Sequence, residues 1–468
     1  MTTLDKGLEW GAQQSREIFT FRNLKYLVCW LMLWQDSMIG GSILELSTIF
    51  GEIPGTRTVE VFAMLLALIA ICERTLSGDF KLRRSYFSAP LILILVIFFF
   101  SWCRGQIMLQ RFNPVLEAHD AFAWPFAFFI VINAFRDDED RRALWRIIML
   151  AVIPKAVEGV YIYFFTPPNS GKDWGVVQLW RDAYLLGIGS VSLMLFAHYR
   201  GTTLRWIKWA LYLSTPFLGF TFIMSMRRTF LVSALAAAAL MFFTLPKERR
   251  RRHLAVASGF LGFMIFFTLI TDPMALIGRL SGIVAPQNEG SAYIRLMEWP
   301  NVLLNIWHHP LLGVPVGVPW KTYYRMPVSA VYTTLGTHNT YLYWPLRAGI
   351  LGAVAFFWLL GKLWKTALIN NRLRRTEDDF IFGQLAIHLL ILYQVSCFFG
   401  LMYAEDLPVF MAVVMTTFQL QSKYISGRYS YSEVSLRETL RAGKLVFTPR
   451  AIRRASRQKV TSILPVTV

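Results

Sequence analysis

Residues 80–104 read FKLRRSYFSAPLILILVIFFFSWCR. A basic cluster, Lys81, Arg83 and Arg84, opens the stretch. An uncharged apolar run then extends from 88 to 103, and Arg104 closes it. Such a run is close to the ~20 helical residues that cross a hydrocarbon core of ~30 Å. It lacks the apolar/polar alternation of a membrane β-strand. Runs of this kind recur outward in both directions. Twelve spans are expected near 25–43, 57–76, 88–103, 119–135, 145–165, 179–198, 205–224, 229–245, 254–271, 338–360, 380–399 and 405–421. The composition agrees, with 55% hydrophobic and 16% charged residues over 468 positions and a mean hydropathy of +0.43. A soluble chain of this length needs far more polar surface. The fold class read here is all-α, a polytopic membrane protein of about twelve transmembrane helices.

The formal charge of +19 is distributed by side. Most Lys and Arg fall in alternate connections: the N-terminus, 80–84, 135–142, the stretch around Arg200 to Lys208, 246–253, 371–375 and the C-terminal tail. By the positive-inside rule both termini are cytoplasmic. The basic character is then a topology signal and does not support nucleic-acid binding. The N-terminus has no short apolar region with a cleavage site, so no cleaved signal peptide is expected. Cys29, Cys72, Cys103 and Cys397 show no paired spacing, which speaks against a disulfide framework or a zinc site.

The chain divides into a cytoplasmic segment (1–24), nine spans (25–271), a long external loop (272–337), three spans (338–421) and a basic tail (422–468). The loop holds SAYIRLMEWPNVLLNIWHH, with apolar residues at helical spacing, followed by the Pro/Gly-rich run PLLGVPVGVPW, which must turn repeatedly. An ordered loop of this size beside a membrane mouth is a common place for a site.

The candidate residues lie on the loop's side. Arg227 and Arg228 occupy a very short external turn, where topology disfavours two positive charges. They read either as snorkelling side chains or as guanidinium forks for phosphate, next to a helix N-terminus. Arg279 and Arg295 are also external, and Arg295 reads alternatively as a surface ion pair with Glu298 at i+3. His338 and Asn339 open the tenth span, where an imidazole can take or give a proton near neutral pH. Glu405 and Asp406 occupy the last external turn and could neutralise the arginines or orient an acceptor. Arg347, inside the tenth span, must find a partner, expected to be a carboxylate or a phosphate. No carboxylates and histidines fall at ligand spacing, so neither a catalytic metal nor a cofactor is expected. No G-x-x-x-x-G-K-[ST] stretch supports nucleotide hydrolysis. Lys155 and Glu158 in the fifth span read as an i,i+3 pair or as relay residues.

Several of these residues stand in a recognisable order. Arg295 and Trp299 lie in the loop helix, then His309-Pro310-Leu311-x-Gly313, then His338-Asn339, then Gly349-Ile350-Leu351-Gly352; a Ser-x-x-Arg-Thr stretch precedes them at 225–229. The pattern resembles the O-antigen ligase and polymerase superfamily of bacterial envelope glycan assembly, specifically so over about 220–360. Two features depart from it: Arg347 stands where an acidic residue is frequent, and Gly-Val-Pro-Val-Gly replaces a tighter Gly-x-Gly. The resemblance implies a metal-independent GT-C-type glycosyltransferase of the bacterial inner membrane, with a periplasmic site. Its donor would be an undecaprenyl-diphosphate-linked glycan, and its acceptor a growing exopolysaccharide or O-antigen repeat, or lipid A-core. Membrane lipids and other polysaccharide assembly proteins would be the further partners. It also implies that His338 is the catalytic residue and that Arg228 and Arg295 bind the diphosphate, with Arg227 and Arg279 as lesser candidates. Asn339, Arg347 and Glu405 are candidates for orienting the acceptor. Polymerase-type elongation is favoured over ligation. The competing readings are a polysaccharide transporter or lipid-linked oligosaccharide flippase, and a non-catalytic assembly scaffold.

Overall fold

The computed structural model describes residues 21–34, 58–77, 81–83, 85–109, 115–165, 180–224, 228–271, 290–324, 326, 336–374, 376–399, 407–426 and 433–435. In chain order the elements are α1 (Phe21–Trp34), α2 (Thr58–Ser77), β1 (Lys81–Arg83), α3 (Ser88–Leu109), α4 (Val115–Ala134), α5 (Asp138–Leu150), α6 (Val152–Phe165) and α7 (Trp180–Phe196). They continue with α8 (Arg205–Met224), α9 (Arg228–Thr244), α10 (Lys247–Thr271), α11 (Gly290–His308), α12 (Thr340–Arg372), α13 (Glu377–Phe399), α14 (Leu407–Ser426) and β2 (Glu433–Ser435).

The protein is mostly helical, as its composition suggests. Four stretches among the described residues are long and apolar enough to cross a membrane: Ser88–Met108, Asp138–Phe165, Thr340–Arg372 and Glu377–Phe398. Shorter apolar helices run over Phe122–Ala134, Tyr184–Phe196 and Val232–Thr244. Twelve spans were the expectation from sequence; parts of several of them, such as 35–43 and 405–406, lie outside the described residues.

Two stretches expected as connections are helix starts. Asp137 caps α5 in a capping box with Asp140, and Asp138, Glu139 and Asp140 fill the first turn, where the helix dipole favours negative charge. Residues 247–253 form the first turns of α10. The expected fifth span is divided at Ala151, between α5 and α6. Pro154 accounts for the break, because its ring opposes the carbonyl four residues back, at Leu150.

Packing separates the helices. The apolar window of α13 is 83% buried and that of α3 only 28%, so α13 is the central element and α3 a peripheral one. α13 lies against α12, α9 and α7. At the end of the bundle away from residue 338, charges join the elements. Lys25 Nζ donates to Glu73 at 2.6 Å and to the Ala134 carbonyl at 2.9 Å. Arg141 pairs with Asp138 at 2.7 Å and with the buried Asp379 at 3.6 Å, and donates to Gln421. Arg249 pairs with Glu377 at 2.9 Å. β2, from the basic tail, pairs antiparallel with β1, Arg83 opposite Glu433. The C-terminal region therefore returns to the basic connection that begins the stretch at 80–104.

Candidate functional site

The site is built on a helix pair. α11 runs parallel along the first turns of α12, with Glu298 against His338 at one end and Pro310 against Ile350 at the other. Val302 and Leu346 meet in a small apolar cluster with Val314, Trp320 and Met326.

The inner face of α11 carries Glu298, Asn301, Val302 and Asn305, all buried. The two asparagines act as clamps. Asn301 Oδ1 accepts from the Tyr323 and Tyr324 amides at 2.6 and 2.7 Å. Asn305 accepts from the Lys321 amide at 3.0 Å and donates to its carbonyl at 2.7 Å. A buried side-chain amide with both its donor and its acceptor engaged holds a loop in one register.

The Pro/Gly-rich run turns where the sequence says it must. Gly313 and Gly317 have φ of 64° and 81°. Gly313 also packs against Gly349, the residue at which α12 leaves helical geometry (φ 61°, ψ −156°). A Cβ on Gly349 would fall 2.1 Å from the Leu311 carbonyl oxygen, and one on Gly313 would fall 2.5 Å from that of Leu346. This close approach allows Val314 N–H to donate to Leu346 O (2.7 Å) and Ile350 N–H to donate to Pro310 O (2.8 Å). The kink thus exposes backbone groups of α12 that the loop then satisfies.

Arg347 is fully buried. Its Nη1 donates to the carbonyls of Pro315 (3.1 Å) and Val318 (2.7 Å). The sequence suggests a carboxylate or a phosphate for it; the structure gives it loop carbonyls. From the other side Ser101 donates to the Arg347 carbonyl at 2.6 Å, and Arg104 to that of Leu312 at 2.8 Å. The ends of α3 and α12 therefore grip the same loop.

His338 lies at the mouth of α12. Its Nδ1 is 2.6 Å from Glu298 Oε2, and its backbone N–H donates to Oε1 at 2.6 Å. The Glu298 side chain has no exposure, while the His338 side chain keeps 26%. An ionised carboxylate only accepts, so a neutral ring facing one carries its hydrogen on Nδ1 and leaves the Nε2 lone pair open. Asn339 is the N-cap of α12, its Oδ1 accepting from Tyr341 N (2.9 Å) and Leu342 N (3.2 Å). The Trp320 indole holds the Gly336 carbonyl at 2.9 Å. Two anchors therefore flank the imidazole in sequence and one carboxylate fixes its ring.

Arg295 lies one turn before Glu298 on α11 and is half-buried. Arg228 is the first residue of α9. Arg227, Arg279 and Glu405 lie outside the described residues. Lys155 and Glu158 pair with each other at 3.0 Å within α6, as i,i+3 neighbours. Among the described residues no three His, Cys, Asp or Glu converge as metal ligands would.

Glu298 is the site residue that sequence reasoning misplaced. As Arg295's surface partner it would be exposed; it is buried and gives both oxygens to His338. A signal was present. Positions 298, 301 and 305 put a carboxylate and two amides on one helix face with Ile294 and Val302, and three polar groups on an apolar face call for buried partners.

These features define a helical membrane protein with a carboxylate-oriented histidine at the mouth of a long helix, roofed by a loop helix. Residues 213–357 match the family model described as O-antigen ligase, which supports the O-antigen ligase/polymerase superfamily. The match runs from within α8 to within α12 and includes Glu298, His338 and the glycine contact. No curated protein matches the chain.

Proposed function

We propose that this protein transfers a glycan from an undecaprenyl-diphosphate carrier to an acceptor hydroxyl at the periplasmic face of a bacterial inner membrane, as a polymerase or ligase of surface polysaccharide. The observation that carries the reading is the Glu298–His338 pair. Nε2 takes the acceptor's proton as its oxygen bonds to the anomeric carbon. The bond from that carbon to the diphosphate oxygen breaks, and the electron pair leaves with the diphosphate. Glu298 holds the ring in the required tautomer and offsets the positive charge that then appears on it. Arg228 and Arg295 supply positive charge to the leaving group.

Two further features support a lipid-borne donor. The site opens at a helix mouth. On the same side of the bundle, an apolar groove of about 760 Å³ runs between α2, α3 and α4, lined by Met64, Val96, Phe99, Trp102 and Phe126, with Glu60 the one carboxylate among the described residues that line it. Phe98, next to Phe99, packs on Tyr343 and Trp344 of α12. The groove is therefore one helix away from the site.

The test is lipid-linked glycan and surface polymer in cells carrying only His338→Ala, at matched membrane level. The expected result is loss of polymer with repeat units accumulating outside the membrane. Repeat trapped on the cytoplasmic side would instead support a flippase, the reading to which the buried Lys155–Glu158 pair belongs. Normal polymer would remove His338 from the chemistry.

A further inference from the structure

The side of α11 turned away from Glu298 is apolar and uncovered. Leu303 is 52% exposed, Trp307 79%, and Leu311, just past the helix end, 69%. Leu303 and Trp307 are four residues apart and so form one stripe on the helix. Tyr293 and Leu296 extend it toward the N-terminus and are also exposed. Most amphipathic helices turn their apolar face inward; here both faces are apolar, and the buried one, with Val302, also carries Glu298, Asn301 and Asn305.

The height of the stripe follows from α12. Leu311 touches Gly349, and Pro310 accepts from Ile350, so the end of α11 is level with the kink. Immediately beyond the kink, Ile350, Leu351, Val354 and Phe357 are exposed, as side chains facing lipid are. Lys365, also exposed, marks the far edge of the hydrocarbon region. About 20 helical residues span that region, which puts its near edge about residue 345. Leu311 then sits just inside the edge. Trp307, one ~5.4 Å turn higher, sits at the boundary, where tryptophan is enriched. Leu303 reaches the headgroups.

We propose that the outer face of α11 is seated in the bilayer leaflet at the His338 end, with Trp307 and Leu311 in lipid. The bilayer that covers Ile350 and Leu351 continues over Leu311 and Trp307. The stripe is thus one surface with the lipid-facing side of α12. One consequence is positional. His338 lies about seven residues beyond the near edge, roughly 10 Å at the helical rise, so the seat fixes the imidazole in the headgroup layer. The seat is a contact with the membrane and does not depend on the transfer reaction.

The experiment uses the full chain with Cys29, Cys72, Cys103 and Cys397 replaced. Single cysteines at 307, 311 or the exposed loop position Thr322 carry an environment-sensitive fluorophore. The protein is reconstituted in nanodiscs of phosphatidylcholine and phosphatidylglycerol. Labels at 307 and 311 are expected to be quenched by acyl-chain nitroxide lipids and shielded several-fold from iodide, with the reverse at 322. Iodide quenching at 307 and 311 equal to that at 322 would overturn the proposal; in pure lipid it would mean a face left in water, as one built for a protein partner would be. A second measurement keeps the native cysteines, with a benzophenone amino acid at 307 in the same nanodiscs. Cross-linking to lipid supports the seat, and absence of lipid adducts overturns it.

Discussion

Glu298→Gln isolates what the carboxylate does for His338. Glutamine keeps the volume, and its carbonyl can still accept from the His338 backbone N–H, now held at 2.6 Å. The other oxygen, 2.6 Å from Nδ1, becomes an amide nitrogen. A donor then faces a donor, and relief requires the ring to move its hydrogen to Nε2, the atom that must accept a proton. Hydrogen bonds to charged groups contribute about 1.5–3 kcal/mol, which at ~1.36 kcal/mol per decade is roughly 10- to 150-fold in orientation alone. The wrong tautomer adds to this, so the expected loss in transfer is about 10²- to 10⁴-fold. The assay is polymer formed per unit of membrane-inserted protein, with lipid-linked donor measured in parallel. Protein level should match the wild type, because the cavity stays filled and the backbone contact is retained. Glu298→Asp, one methylene shorter, should fall between the two. Transfer by Glu298→Gln at more than half the wild-type rate would refute the reasoning. It would leave Glu298 as a structural anchor and His338 without an orienting group.

Gly349→Ala should cost at least about 3 kcal/mol through positive-φ strain and backbone overlap, seen as loss of folded protein by fluorescence-detected gel filtration. Arg347→Met removes the donor from two loop carbonyls, at about 1–3 kcal/mol each. The expected result is a lower melting temperature in detergent; an unchanged melting temperature with lost transfer would place Arg347 on the substrate. His198, in the connection after α7, is buried with its ring 5.7 Å from His253. Burial first, then His253, Arg252 and Arg249, lowers its pKa to about 4. A lowered histidine pKa stabilises the fold above the unfolded value near 6.5, and that stability is lost as pH falls from there toward 4. The melting temperature should decline across this window, and His198→Phe should flatten the decline.

Much of the fold was legible locally. An uncharged run such as 88–103 can satisfy its backbone in lipid only as a helix, so the helical class needs no knowledge of neighbours. His338-Asn339 ahead of an apolar helix, and the glycines of 313 and 349, were likewise visible as residues with special work to do. Helix ends were harder to read. The acidic and basic cluster at 135–142 carries a capping signal and a charge signal together; only the structure shows that Asp137 caps a helix while Arg141 is buried against Asp379 and Gln421.

Which groups meet was decided by the tertiary structure. Residues 298 and 338 are far apart in the chain, and their contact exists because α11 lies parallel alongside α12 in one register. That register is set by Gly313 against Gly349 and by Arg347 on the loop carbonyls. Sequence alone determined that this protein is a bundle of membrane helices with an imidazole at one mouth, because hydrophobicity and backbone hydrogen bonding act residue by residue. The carboxylate that aims the imidazole, and the apolar stripe left outside on the same helix, follow from which face of α11 was turned inward. Periodicity marks two faces; only packing against α12 selects between them.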